Sequence, residues 1–222
     1  MKETVYIETS IIGYLTARPT TNLIIAANIE VTQQWWNLHS SRFTLYVSKV
    51  VFDEVAKDDL EIAAHRLDIL RDFPVLELNT DVKALAAAFL SQSNLPSKAS
   101  DDAVHIAAAT VHKMNYLLTW NCKHIANAQI QRKLSEISLD FGYELPRICT
   151  PYQLMGESIM WEDEILEEIR QIREEHTKSF NYDLNAMFAD WEKRQYEDGR
   201  QVVNLSQKPR TCKSLHQNTE NI

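Results

Sequence analysis

Glycine is nearly missing from this 222-residue chain, occurring only at Gly13, Gly142, Gly156 and Gly199. No G-x-G-x-x-G or G-x-x-x-x-G-K-[ST] run can be assembled from these positions, so the glycine-rich cradles for dinucleotides and nucleoside triphosphates are excluded. Cysteine is equally sparse. Cys122, Cys149 and Cys212 make an odd number with no C-x-x-C pair, which points to reduced thiols and a cytoplasmic location rather than to a disulfide frame or a thiolate zinc site. No stretch approaches the roughly 18 consecutive apolar residues of a membrane span. The first ten residues carry Glu3 and Glu8 where a signal peptide needs an unbroken apolar run. The expectation is a soluble, unexported protein with no membrane partner. The D-x-D nucleophile pattern of phosphatases built on a parallel sheet is absent as well.

What the chain does have is 45% apolar residues, enough to bury the core of one domain of about 150 residues with an appendage. It carries 31 acidic against 23 basic side chains, a net charge of −8. That balance argues mildly against binding duplex DNA by bulk charge, but it does not exclude a nuclease, whose site is itself acidic.

The first 150 residues alternate short β-rich runs with longer helical ones. Strands are expected at Thr4-Val5-Tyr6-Ile7, at Phe43-Thr44-Leu45-Tyr46-Val47, at Val75-Leu76-Glu77-Leu78, at Tyr116-Leu117-Leu118-Thr119 and at Arg147-Ile148-Cys149. Residues 22–40 read as a helix with Leu23, Ala26, Ala27, Trp35 and Leu38 on compatible positions. Two short helices follow Ser48, a candidate N-cap. Thr80 or Asp81 is expected to cap a further helix, which Pro96 ends. Ser100 caps the next, with Asp101 and Asp102 in its first turn complementing the positive helix end. A helix spans about 125–138, and Thr150-Pro151 has the form of another helix start. Strands joined by 20–40 residues of helix cannot be hairpins, so they lie parallel with right-handed crossovers and helices on both faces. The fold class expected is an α/β sandwich with a central parallel sheet, whose functional groups gather beyond the carboxyl ends of its strands.

Four residues fall on that edge: Glu8 after the first strand, Glu54 in the helix after the second, Asp102 at the start of a later helix, and Asn121 after the fourth strand. Three carboxylates in one cleft repel unless a cation sits among them. A hard divalent ion, Mg²⁺ or Mn²⁺, is the cofactor expected, with Glu8, Glu54 and Asp102 as its ligands. A water held by such an ion is a nucleophile suited to a phosphodiester.

Four blocks, Tyr6-Ile7-Glu8-Thr9-Ser10, Val51-Phe52-Asp53-Glu54-Val55, Asp102-Ala103-Val104-His105-Ile106-Ala107 and Leu117-Leu118-Thr119-Trp120-Asn121 with Lys123-His124-Ile125-Ala126, resemble the successive blocks of a PIN domain. They are similar above all to the ribonuclease toxins of VapBC-type toxin–antitoxin pairs. The resemblance covers residues 3–155. It implies a PIN-like three-layer α/β/α sandwich, a metal-dependent endoribonuclease activity, Glu8, Glu54, Asp102 and Asn121 as the catalytic set, a homodimer, and an antitoxin partner. The chain departs from the family pattern at two places. The first acid is Glu8 where the family usually has Asp, and Asn121 and His124 stand where the fourth block often carries acids. The rival reading is therefore a catalytically weak or inactive PIN module that binds RNA or a protein.

Bland readings stand beside these. Glu8 and Glu54 taken singly are surface charges, and Asp101 and Asp102 are helix-capping acids; Asp101 is otherwise a candidate only for a supporting role. His105 and His112 share a helix face without an H-E-x-x-H motif and read as buried, hydrogen-bonded histidines. Thr9, Ser10 and Thr119 can hydrogen-bond a metal water or a phosphate, and Trp35 and Trp36 read as core or dimer-interface residues. An RNA path has to come from local clustering of Lys49, Lys57, Lys98, Lys123 and Arg132 rather than from net charge.

After the PIN-like domain, 1–156, the β/α alternation stops. Residues 157–222 hold 14 acids and 9 bases. Trp161, Ile165, Ile169 and Ile172 make one amphipathic stripe, and Leu184, Met187, Phe188 and Trp191 another. Residues 157–205 are expected to be a helical C-terminal extension with a β-like strip at 201–205, and 206–222 a disordered tail. The extension reads either as an antitoxin-like or dimer-bracing element, with Arg200, Lys208 or Arg210 reaching the carboxylates in self-inhibition, or as a cover for an apolar face.

Overall fold

A computed structural model describes residues 2–57, 59–96, 98–155, 164–197, 199 and 203. β1 (Thr4–Ile7), β2 (Thr44–Ser48), β3 (Val75–Leu76), β4 (Tyr116–Leu118) and β5 (Arg147–Cys149) form one sheet in the order β3-β2-β1-β4-β5, and every pair is parallel. Val5, Tyr6 and Ile7 are all fully buried. An apolar strand buried on both faces is what a helix-covered parallel sheet requires.

The connections are α1 (Thr9–Leu15) and α2 (Leu23–Leu38) between β1 and β2, then α3 (Lys49–Val55) and α4 (Leu60–Leu70) before β3. α5 (Thr80–Gln92) and α6 (Ser100–Val111) lead to β4, α7 (Ala128–Asp140) to β5, and α8 (Pro151–Leu154) follows. From β1 the chain steps outward to β2 and β3, then returns to β4 on the other side of β1. Right-handed crossovers consequently send the two groups of helices to opposite faces. The switch in direction opens a crevice between β1 and β4 at their carboxyl ends, where Ile7 is level with Leu118. The expected α/β sandwich with a central parallel sheet is the observed fold class.

Several local expectations shift. Asn79, not Thr80 or Asp81, caps α5, its side chain accepting from the Val82 amide at 3.0 Å. Ser100 is the first helical residue of α6 rather than its cap, a place taken by Ala99. Ser48 does precede α3, but its hydroxyl makes no capping bond and turns to Tyr6 instead. β3 is only two residues long. α7 begins at Ala128 because the Asn121 carbonyl and side chain first close a turn with the Ala126 and His124 amides, and Asn127 then caps the helix. Leu23 and Leu38 of α2 are exposed, whereas Trp35 is fully buried against Phe43 and Trp36 packs on Phe73, as core residues. Thr150 forms a capping box with Gln153 ahead of Pro151, as the sequence indicates.

The chain divides into two compact units, Met1–Ile159 and Met160–Ile222. The second holds α9 (Glu164–Ser179) and α10 (Leu184–Glu197), joined by the stacking of His176 on Trp191 with ring centroids 5.6 Å apart. Trp161, Arg200, Lys208, Arg210, the tail 206–222 and the strip 201–205, Val203 excepted, lie outside the described residues; Val203 carries no regular structure. No helix among the described residues is long and apolar enough to cross a membrane.

Candidate metal centre

The crevice is built by helices that start directly on strand ends. Glu8 follows β1 and is itself the N-cap residue of α1 in extended conformation. It is 6% exposed, so it is not the surface charge that a strand-end acid ordinarily is. With no intervening loop, Thr9 and Ser10 occupy the first turn of α1 and their hydroxyls reach the acids. Ser10 Oγ donates to Glu8 Oε2, Thr119 Oγ1 donates to the same oxygen at 2.7 Å, and Thr9 Oγ1 donates to Glu54 Oε2. Ser10 Oγ also accepts from the Trp120 amide at 2.8 Å, which ties α1 to the end of β4. The three hydroxyl residues thus hold carboxylates rather than standing free.

Glu54, on α3, is brought against α6. His105 Nε2 lies 3.0 Å from Glu54 Oε2, and His105 Nδ1 lies 2.7 Å from the Tyr6 hydroxyl. Glu8, Glu54 and His105 each offer one ligand atom, and these atoms all lie within 4.8 Å of one another. Among the described residues, no hydrogen bond is made by Oε1 of either glutamate.

Asp102 sits one helical turn before His105 on α6. Asn121 Nδ2 donates to its Oδ1 at 2.9 Å, and His124 Nδ1 lies 2.8 Å from its Oδ2. The Asn121 side-chain oxygen in turn accepts from the His124 amide at 3.1 Å. Asn121 and His124 therefore both close on Asp102. Each Asp102 oxygen keeps a second lone pair, so the clamp orients the carboxylate without using it up. Asp101 is exposed, and among the described residues its side chain is bonded by Ser100, outside this arrangement.

Electrostatics follow from the contacts. Burial opposes ionisation of Glu54, but the hydrogen bond and charge of His105, the Thr9 hydroxyl and the charge of Lys57 outweigh it and hold its pKa below 4.5. Burial likewise opposes protonation of His105, yet its bond to Glu54 and the negative charges of Glu8, Glu54 and Asp102 raise its pKa above 6.5. Burial keeps the Tyr6 phenol protonated. The Cys149 thiol, also buried, is pushed up to about 12 and is inert as a nucleophile.

The sequence brought forward Glu8, Glu54, Asp102 and Asn121. Glu8, Glu54 and His105 are gathered in one group, Asp102 and Asn121 in an adjoining hydrogen-bonded one. His105 is buried and hydrogen-bonded as read, although its partner, Glu54, was not foreseen. His112 is not buried: it ends α6 half-exposed, with Nε2 2.8 Å from the Glu77 carbonyl. Tyr6 and His124 were missed as supports, and the available signal was spacing: His124 lies three residues beyond Asn121, and Tyr6 two before Glu8 on the same side of the extended backbone. Of the expected basic residues, Lys49 is paired with Asp53 at 2.5 Å and Arg132 with Glu136 at 3.7 Å.

No protein-family model matches the chain, and no curated protein matches it. Among solved structures, it is similar to a chain in the crystal structure of VapBC2 from Rickettsia felis bound to a DNA fragment from their promoter. The match has 15% sequence identity and a TM-score of 0.43, and it covers 66% of this chain and 98% of that one.

Proposed function

We propose that this chain is a divalent-metal-dependent endoribonuclease, with Glu8, Glu54 and Asp102 holding Mg²⁺ or Mn²⁺ and Asn121 as a polar auxiliary. The observation that carries the reading is the pair of glutamates at the crevice, each held at Oε2 by two donors and, among the described residues, without a hydrogen bond at Oε1. All-oxygen donors of this kind suit a hard cation. When bound, such an ion activates water and offsets phosphate charge. The chain's own part is to fix the carboxylates: Ser10 and Thr119 hold Glu8, Thr9 and His105 hold Glu54, and Asn121 and His124 hold Asp102. Hydrolysis would join a water oxygen to phosphorus and break one phosphorus–oxygen bond, the water losing a proton and the leaving oxygen gaining one, without a covalent intermediate on the protein. RNA as the substrate, the toxin role in a toxin–antitoxin pair, homodimerisation and regulation by 157–205 rest on the resemblance of the four sequence blocks to PIN-domain ribonucleases.

A second reading, a PIN-like module that binds RNA or a protein without cutting, is favoured by one observation. Asn121 and His124 bring hydrogen-bond donors to Asp102 where two acids would have brought negative charge. Cleavage of a panel of structured RNAs in Mn²⁺, Mg²⁺ or EDTA separates the two. Cutting that requires metal, falls at least 100-fold in Asp102→Asn and rises in Asn121→Asp supports the nuclease. RNA retention in EDTA with no cutting in either metal supports the binding module.

A further inference from the structure

Behind Glu54 runs a line of side chains buried from solvent. Ser48 Oγ lies 2.6 Å from Tyr6 OH, Tyr6 OH lies 2.7 Å from His105 Nδ1, and His105 Nε2 lies 3.0 Å from Glu54 Oε2. Ser48 and Tyr6 are fully buried and His105 is 1% exposed. The line joins the end of β2, the middle of β1, α6 and α3, the elements that shape one side of the crevice.

The direction of these bonds follows from donor and acceptor capacity. An ionised carboxylate only accepts, so His105 Nε2 carries a hydrogen and donates it to Glu54. With a neutral ring, Nδ1 accepts from the Tyr6 hydroxyl, and the Tyr6 oxygen accepts from Ser48. With a charged ring, Nδ1–H donates to Tyr6, which then donates to Ser48. Both hydroxyls can turn either way, so the bond to Glu54 is the same in both cases. The line is satisfied at every atom and holds Glu54 irrespective of the protonation of His105.

We propose that His105, fixed by Tyr6 and Ser48, is a positioning residue that pins Glu54 Oε2 and thereby presents Oε1 to the metal, and that it is not itself a metal ligand. The proposal rests on the metal-site reading above. Proximity alone would allow His105 to ligate, since its nitrogen lies within 4.8 Å of both glutamates. Ligation would however require a bare lone pair at Nε2, moving the proton to Nδ1 and stripping Glu54 Oε2 of a donor. Hydrogen bonds that orient a ligand from behind typically change metal affinity by about 10–100-fold when removed.

The test is Mn²⁺ binding by the full chain, followed by electron paramagnetic resonance and by the ¹⁵N shifts of the His105 ring in Mg²⁺. Wild type, Tyr6→Phe, His105→Gln, His105→Ala and Glu54→Gln are compared, each checked for a native circular dichroism spectrum. The expected result is roughly 10-fold weaker Mn²⁺ binding in Tyr6→Phe, a larger loss in His105→Ala, and partial rescue in His105→Gln, whose amide can still donate. Nε2 stays protonated in Mg²⁺, and no imidazole nitrogen couples to bound Mn²⁺. Wild-type affinity in folded His105→Ala overturns the positioning role. Imidazole coupling that disappears in His105→Gln overturns it too, by making His105 a ligand. Wild type that binds no Mn²⁺, with Glu54→Gln indistinguishable from it, defeats the metal-site reading and this proposal together.

Discussion

Glu54 and His105 stabilise one another's charged forms, and that coupling makes the stability of the metal-free protein depend on pH. The Glu54 pKa is depressed in the folded chain, so its contribution is complete above its ordinary value of 4.5 and is lost as pH falls through the folded value. The His105 pKa is raised, so its contribution is complete below its ordinary value of 6.5 and is lost as pH rises through the folded value. Both are present between pH 4.5 and 6.5. Urea midpoints in EDTA should therefore show the largest difference between wild type and His105→Gln inside that window, shrinking on either side. A difference that does not vary with pH would mean that the pair carries no linked proton.

At the level of elements, α6 decides where Asp102 and His105 stand. Ala103, Ile106, Ala107, Ala108 and Ala109 are fully buried, and α5 faces the same core with Ala86 and Ala88 almost as well buried. Small side chains let helices approach closely, so α6 is surrounded on nearly all sides and cannot shift to absorb extra volume. Ala109→Leu is expected to cost about 1–3 kcal/mol through overpacking, read from urea unfolding. α1 works by a different device. Its first turn follows Glu8 without a loop, so the side chains of Thr9 and Ser10 are delivered to the acids by the backbone itself.

On the scale of the whole molecule, the contiguous apolar core among the described residues runs from Val5 to Met155. In the second unit, Met187 is the buried apolar side chain among the described residues. The first unit is therefore expected to fold on its own. A chain ending at Ile159 should melt in a single cooperative transition within a few degrees of the full chain, followed by circular dichroism. A non-cooperative melt would show that residues 160–222 contribute to that core. The same chain tests regulation by the extension, since release of RNA cleavage on its removal is expected only if the extension inhibits.

The order of strands and helices is readable in the sequence because it rests on local rules. A β-rich run such as Tyr6-Ile7, a proline after α5, and an Asn or Thr ahead of a helix each act within a few residues. Parallel pairing followed from the length of the connections. That Glu8 and Glu54 lie on one edge is likewise legible, because strand ends in such a sheet face one way, whereas the third member of their group is His105 rather than Asp102. Cap positions slipped by a residue where two polar neighbours competed, as Asn79 did with Thr80. What no local rule contains is which donor each carboxylate meets. His105 lies 51 residues from Glu54 and Tyr6 lies 99 from His105, and Asn121 lies 19 from Asp102. Those contacts exist because β1 sits between β2 and β4, bringing α1, α3, α6 and the turn after β4 to the same crevice. Hydrogen bonds across such separations depend on packing, and packing depends on the whole core at once.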